Sequence, residues 1–235
     1  KDLRIAWRWK AENFGPRPDF YYTATPLMVG GVLFTTAGAR RDVVAIDGAS
    51  GETLWMFRYD EGTRGLRAPI RPAASRGVGY WSDGKEERIL HVTQGYRLVA
   101  LDAKTGHAIP GFGSQGVVDL YEGMEGGRSP QDGQVTWNSP PIVVRDVVVV
   151  GNAFLSLAPN KEFVAGSVRG YDVRTGKRLW SFQTIPRPGD VGNETWKNDS
   201  WSYTGNTGVW APISFDEELG YIYIAVESPT NDYYG

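Results

Sequence analysis

The sequence predicts an all-β fold of the propeller type, and three observations support that fold class. The 235 residues include 30 Gly, 14 Pro and 13% aromatic side chains, a composition typical of short strands joined by turns. A unit made of an apolar strand, an aspartate, a Thr/Ser-Gly turn and a second strand recurs three times. No amphipathic pattern extends beyond two helical turns, so a helical fold is disfavoured.

The three copies of the unit are VVAIDGASGETLWMF at 43–57, LVALDAKTGHAIPGF at 98–112 and VRGYDVRTGKRLWSF at 168–182. In each copy the aspartate can cap the turn with its side chain, and the glycine four residues later can adopt the left-handed conformation. These pairs are Asp47 with Gly51, Asp102 with Gly106 and Asp172 with Gly176. Trp55 and Trp180 occupy matching positions where an indole can pack between neighbouring sheets. The second copy departs from the pattern with Pro110 and Phe112.

Further strand candidates lie between the copies and supply the remaining strands of each blade. They are 26–36 with a turn at Gly30-Gly31, 77–81, 88–93, 141–151, 209–215 and 221–226. Radially repeated sheets protect their edges only when the ring closes. We therefore interpret residues 1–235 as one partial β-propeller domain of about four blades. Further sequence, or a second chain, would supply the missing blades.

Composition and motif content exclude several functional classes. The formal net charge is −2 and no Lys/Arg block is present, so the electrostatic signature of a nucleic-acid or membrane-surface protein is missing. No apolar run approaches the length of a transmembrane segment. Zero cysteines exclude disulfides and thiolate metal sites. With only His91 and His107, a histidine metal site or a serine-hydrolase triad is disfavoured.

Polar and aromatic residues concentrate in a long segment at 184–208 and in the tryptophan that follows shortly after it. Long ordered loops in compact domains are usually functional, so this loop is predicted to lie on the pocket side of the propeller. The alternative is that Trp196, Trp201 and Tyr203 only pack a surface loop.

Several motifs together resemble the quinoprotein dehydrogenases. They are the Asp-x-x-Thr-Gly-x-x-x-Trp repeats, RGVGYW at 76–81, SPPIVV at 139–144 and WAPISFDEELG at 210–220. The resemblance covers nearly the whole chain and is strongest to the branch that contains membrane-bound glucose dehydrogenase. It implies an eight-bladed propeller that binds pyrroloquinoline quinone (PQQ) near its axis, beside a divalent cation that is usually calcium.

By this resemblance, Trp210 matches the tryptophan that stacks on the cofactor, and Arg76 matches an arginine that binds a carboxylate or quinone oxygen. Asn138 and Ser139 match a region that hydrogen-bonds the cofactor. Each residue also has a purely structural alternative. Trp210 could be a core tryptophan and Arg76 an exposed residue at a strand end, while Asn138 and Ser139 could cap a turn.

The metal ligands are less clearly matched by the resemblance. The family places a carboxylate or amide after the strand at 147–151, which suggests Asn160 and Glu162. It places an amide after the strand at 221–226, where this sequence has Ser228 at the family's Asn position and Asn231 nearby. The catalytic aspartate of the family has no counterpart here and is expected beyond residue 235.

The resemblance implies a dehydrogenase that oxidises a sugar or alcohol hydroxyl and passes electrons to a respiratory quinone or cytochrome. It also implies a periplasmic or otherwise extracytoplasmic location. Two alternatives remain: a non-catalytic propeller scaffold of the outer-membrane assembly type, and a carbohydrate-binding propeller. The Arg76 motif, the loop before Trp210 and the WAPIS strand favour the enzyme, because a scaffold needs no central cofactor.

Overall fold

The computed structural model describes residues 2–11, 14, 23–68, 76–124, 133–154 and 162–229. Three four-stranded antiparallel sheets form its framework. The first consists of β1 (Leu27–Val29), β2 (Val32–Ala37), β3 (Asp42–Asp47) and β4 (Thr53–Phe57). The second consists of β5 (Gly79–Ser82), β6 (Glu87–Val92), β7 (Arg97–Asp102) and β8 (Val117–Asp119). A short helix, α1 (Gly62–Arg67), lies between them in sequence.

The remaining strands form a third sheet and two short pairs. A pair is formed by β9 (Val135–Thr136) and β12 (Ala153–Phe154). The third sheet consists of β10 (Ile142–Val144), β11 (Val147–Val150), β13 (Ser167–Asp172) and β14 (Arg178–Gln183). A hairpin of β15 (Ser214–Asp216) and β16 (Tyr221–Tyr223) follows the third sheet. The propeller prediction is confirmed, with three four-stranded blades and the first hairpin of another.

The predicted turn chemistry is present in all three repeats. The Asp47 carboxylate accepts hydrogen bonds from the backbone N–H groups of Ala49 and Ser50 and from the Ser50 hydroxyl. Asp102 and Asp172 make the same three bonds in their own turns. These bonds lower the pKa of Asp47, with the Ser50 N–H as the largest cause. The three glycines have φ of 78°, 72° and 73°, the left-handed conformation that the turn requires.

Tryptophans from one blade dock on the repeat turn of the next. A Cβ built on Gly106 would lie 2.5 Å from the Trp55 indole, and the indole N–H of Trp55 donates to the Ala103 carbonyl at 3.0 Å. Trp7 docks in the same way on Gly51 and donates to the Gly48 carbonyl. The predicted packing of Trp55 between sheets is thereby confirmed.

The second and third sheets are joined differently, because the second repeat lacks the tryptophan. Phe112 is fully buried and approaches Gly176, while the Gly113 N–H donates to the Thr175 carbonyl at 2.8 Å. The Trp180 indole lies against Gly170, its partner across β13 and β14, and its packing between neighbouring sheets stays a prediction.

The largest apolar core lies between the second and third sheets and includes the fully buried Trp137, Tyr96 and Phe112. Arg169 is also fully buried there, and it donates to the Tyr96 hydroxyl and the Leu120 carbonyl. A buried guanidinium is tolerated because these bonds and the Tyr96 ring replace its hydration. Within the described ranges, no helix is long and apolar enough to cross a membrane.

Candidate functional site

The first strands of successive sheets lie side by side, and the residues that precede them form a continuous row. Thr25 and Gly77 form a parallel bridge, and β5 contacts β10. This arrangement is expected at the centre of radially repeated sheets. Glycine at position 77 is required by the close approach, since a Cβ there would lie 2.8 Å from the Thr25 carbonyl oxygen.

We call Thr25, Arg76, Asn138, Ser139 and Trp210 the strand-start row. The Thr25 N–H donates to the Arg76 carbonyl, and the Arg76 N–H donates to the Asn138 carbonyl at 3.2 Å. The Ser139 hydroxyl then donates to the Trp210 carbonyl at 2.8 Å. The structure thus brings together all four residues that the sequence suggested for cofactor binding.

The side chains of the strand-start row differ in their exposure. Ser139 is only 2% exposed, whereas Trp210 is 42% exposed and presents much of its indole to solvent. Arg76 and Asn138 are partly exposed. The side-chain Oδ1 of Asn138 is nevertheless buried, and it has no hydrogen-bond partner among the residues that the structure describes. A buried acceptor without a partner costs free energy, so it favours the binding of a polar group from outside the chain.

His91 is a buried residue that contacts the backbone next to the strand-start row. It is 3% exposed, and its ring donates a hydrogen bond to the Gly77 carbonyl, next to Arg76. Burial lowers the pKa of His91 to about 4, because desolvation disfavours the imidazolium. A neutral imidazole therefore fixes the backbone beside Arg76 at ordinary pH.

The 184–208 segment leaves β14 and leads back to Trp210. It contains two short 3-10 helices, Asn193–Thr195 and Lys197–Ser202. The Asn193 amide donates to the Pro186 carbonyl, and the Arg187 guanidinium lies over the Trp201 ring. These contacts order the segment internally. Its placement on the pocket side stays a prediction.

The predicted metal ligands are not assembled by the described residues. Asn160 and Asn231 lie outside the described ranges. Glu162 is exposed, and no group of three His, Asp or Glu side chains suited to a metal is found in the ranges that the structure describes. The carbonyl of Ser228 accepts a hydrogen bond from the Asn206 amide. The cation site therefore stays a prediction.

Sequence reasoning missed Thr25 and the supporting role of His91. A signal for Thr25 was present, because a proline follows the row residue in Thr25-Pro26 and Ser139-Pro140. Proline restricts the preceding residue to extended backbone, which suits a residue at a strand start. No comparable signal marked His91, since its role depends on pairing between β5 and β6.

Comparison with protein families gives one match over the whole chain. The family described as PQQ, glucose/ethanol/alcohol dehydrogenase, beta-propeller domain, matches residues 1–235. The glycerol dehydrogenase large subunit of Gluconobacter oxydans is 33% identical over 99% of this chain and 31% of that protein. Quinohemoprotein alcohol dehydrogenase ADH IIB of Pseudomonas putida is 33% identical over 95% of this chain and 30% of that protein. Quinoprotein glucose dehydrogenase A of Acinetobacter calcoaceticus is 29% identical over 100% of this chain and 31% of that protein.

Solved structures show the same fold. Quinohemoprotein alcohol dehydrogenase ADHIIG of Pseudomonas putida HK5 superposes with a TM-score of 0.65 and 29% identity, covering 88% of this chain and 28% of that one. The chain thus spans under a third of the length of the relatives it matches. The recurring turns, the sheet order and the full-length family match lead to one assignment. The chain belongs to the β-propeller domain family of PQQ-dependent glucose, ethanol and alcohol dehydrogenases.

Proposed function

We propose that the protein to which this chain belongs oxidises a hydroxyl group of a sugar, polyol or alcohol, and that this chain supplies one wall of its PQQ site. The observation that carries the proposal is the strand-start row, in which Arg76, Asn138, Ser139 and Trp210 are joined by hydrogen bonds. A scaffold propeller gives no reason for an exposed indole, a cation and an unsatisfied buried amide in one row.

The residues of the row fit the chemistry of PQQ. The cofactor is flat and carries three carboxylates, so it needs a planar apolar surface and cationic or hydrogen-bonding partners. The half-exposed Trp210 offers the surface, and the Arg76 guanidinium suits a carboxylate. Asn138 has a buried Oδ1 without a partner and an amide group that can donate or accept.

When bound, PQQ supplies the two-electron acceptor for alcohol oxidation. In the proposal, Arg76 binds the cofactor by charge and Trp210 binds it by stacking. The indole of Trp210 also excludes water from the cofactor face that it covers. Ser139 acts on the Trp210 backbone through its hydroxyl. The base that removes the substrate proton is proposed to be an aspartate beyond residue 235, and the cation is proposed to use Asn160, Glu162 or Asn231.

The names of the relatives support a range of substrates. They include dehydrogenases of glycerol, alcohol and glucose at similar identities, so we propose a small hydroxyl compound without choosing among these classes. A respiratory quinone or cytochrome is the proposed electron acceptor, and the periplasm is the proposed location.

Cofactor binding can be tested separately from turnover. We expect PQQ to quench tryptophan fluorescence of the full-length protein in a saturable titration. Trp210→Ala should raise the Kd for PQQ at least tenfold, because it removes the stacking surface. Arg76→Gln should raise this Kd about tenfold and reduce the salt dependence of binding. The matched controls are Trp9→Phe and Arg8→Gln, which change an indole and an exposed arginine outside both the row and the 184–208 segment.

The outcome decides between the proposed functions. Binding that depends on Arg76 and Trp210, followed by dye reduction with sugars, glycerol or alcohols after addition of calcium, would support the dehydrogenase. A protein that folds and shows no affinity for PQQ would instead favour the scaffold. Affinity for sugars without PQQ binding would favour the carbohydrate-binding propeller.

A further inference from the structure

The chain makes an unusual turn just before Trp210. Asn206 has φ of 64° and Thr207 has φ of 42°, so two successive non-glycine residues adopt the left-handed conformation. For a β-branched residue such as Thr207 this conformation is a genuine outlier. We call residues 206 and 207 the elbow.

The elbow is buried and its threonine hydroxyl is a hydrogen-bonding hub. Thr207 is 3% exposed. Its Oγ1 accepts from the Gly166 N–H at 3.2 Å and lies 2.8 Å from the Thr184 hydroxyl oxygen. The Thr184 hydroxyl also lies 2.7 Å from the Gly166 carbonyl. If Thr184 donates to that carbonyl and Thr207 donates to Thr184, every polar group in the cluster is satisfied.

The identity of residue 207 is at odds with its backbone. Glycine adopts positive φ without a steric penalty, and glycines stand close by at positions 205 and 208. A threonine in this conformation is strained. Residues held in such strained conformations concentrate at functional sites, where the surrounding structure keeps them in place.

The elbow and Ser139 hold the Trp210 backbone from both sides. On the carbonyl side, the Ser139 hydroxyl donates to Trp210 at 2.8 Å. On the N-terminal side, the hub ties residue 207 to Gly166, just before β13, and to Thr184, just after β14. The Glu227 N–H also donates to the Gly208 carbonyl at 2.9 Å. The exposed Trp210 indole is therefore attached to a backbone segment that hydrogen bonds hold on both sides of Trp210.

We propose that Thr207 is a positioning residue, which presents the Trp210 indole in one fixed orientation for stacking on a flat ring. The hydrogen bonds of its hydroxyl offset the strain of the elbow. They also prevent the backbone between residues 207 and 210 from adopting another conformation. The role in ring binding rests on the proposed function, whereas the fixed orientation of Trp210 does not.

Two substitutions test whether the Thr207 hydroxyl positions Trp210. Thr207→Gly removes the strain and the hub together, so the protein should fold with little change in Tm. Thr207→Ser keeps the hydroxyl and should behave as the parent protein. Gln115→Gly is the matched control, because Gln115 is an exposed residue with φ of 53° and its replacement relieves similar strain far along the chain.

The readout is ¹⁹F NMR of full-length protein labelled with 5-fluorotryptophan, in which Trp210→Phe identifies the resonance of Trp210. We expect one narrow Trp210 resonance in the parent, in Thr207→Ser and in Gln115→Gly. In Thr207→Gly that resonance should broaden or shift while the other tryptophans keep theirs. Kd for PQQ should rise by about tenfold in Thr207→Gly alone.

An unchanged Trp210 resonance and unchanged Kd in Thr207→Gly would overturn the proposal. Loss of the narrow resonance in Thr207→Ser would also contradict it, because the hydroxyl would then not be the group that matters. If the parent protein does not bind PQQ but Thr207→Gly still frees the indole, the proposed function fails and the positioning role stands.

Discussion

His91 shows at the scale of one residue how burial turns a titratable side chain into a fixed support. Its ring donates to the Gly77 carbonyl, and its Nδ1 is buried without a partner. A narrow cavity beside it is lined by charged and titratable groups, namely Arg40, Arg41, Asp42, Tyr59 and Glu61. Asp42 is bound to Arg58, and Glu61 is bound to Arg97. Neither carboxylate is free to stabilise an imidazolium.

We predict that stability falls as His91 is driven toward protonation. Its pKa is about 4 in the folded state against an ordinary 6.5, so between these values the unfolded chain binds the proton more readily. The contribution of neutral His91 to the free energy of unfolding is then fully present above pH 6.5. About 3 kcal/mol of this contribution is lost as the pH falls toward 4. Urea denaturation across this range should show the decline, and His91→Leu should flatten it.

His107→Gln is the control, because His107 is exposed and its replacement should leave the slope intact. Titration of Asp47 falls in a lower pH range than titration of His91. Hydrogen bonds lower the pKa of Asp47, so its contribution is lost only as the pH falls below the ordinary value of 3.8. A parent protein whose stability is flat between pH 6.5 and 4.5 would contradict the role given to His91.

At this scale the residues proposed for the site are easier to find in the sequence than the geometry that supports them. Arg76, Asn138, Ser139 and Trp210 stand in local motifs, and motifs are visible without coordinates. The left-handed Thr207 was not predictable, since local preference opposes it and only tertiary hydrogen bonds hold it in place. Asn160 and Asn231 lie outside the described residues, so their assignment stays a prediction.

At the scale of elements, the repeat hairpin is also the docking surface for the next blade. Its aspartate and left-handed glycine were predictable because a tight turn needs both locally. The use of Phe112 in place of a tryptophan was not predictable. It depends on how the loop between β7 and β8 meets the third sheet, where Gly113 bonds to Thr175.

The contribution of tryptophan docking can be measured with two glycines that share a backbone conformation. Gly106 has φ of 72° and Gly84 has φ of 85°. A Cβ at Gly106 would lie 2.5 Å from the Trp55 indole, whereas a Cβ at Gly84 would meet nothing within 4 Å. Both alanine variants should lose more than about 1 kcal/mol from backbone strain. Gly106→Ala should lose clearly more, because the indole must also move.

Urea denaturation of the two variants provides the comparison, with Tm as a second measure. Equal losses for Gly106→Ala and Gly84→Ala would mean that the indole contact adds nothing to stability. A smaller loss for Gly106→Ala than for Gly84→Ala would also contradict the docking argument.

At the scale of the whole molecule, the blades are joined in series. Trp7 contacts the first repeat turn, Trp55 contacts the second, and Phe112 reaches the third. The sequence predicted this radial arrangement from the repeat, the composition and the strand candidates between the copies, and the number of blades in the complete ring stays a prediction. Where each unit contacts only its neighbours, stability is approximately a sum of unit terms and neighbour terms.

This serial arrangement predicts which pairs of substitutions are additive. Trp7→Leu and Phe112→Leu affect junctions separated by the first and second sheets, so their losses of unfolding free energy should add to within about 0.5 kcal/mol. Trp55→Leu and Gly106→Ala affect one junction. In the Trp55→Leu background the new methyl group no longer meets an indole, so Gly106→Ala should cost only its backbone strain and the pair should lose less than the sum. Double-mutant cycles in urea measure both terms, and coupling between the distant pair as large as that of the near pair would contradict a molecule stabilised blade by blade.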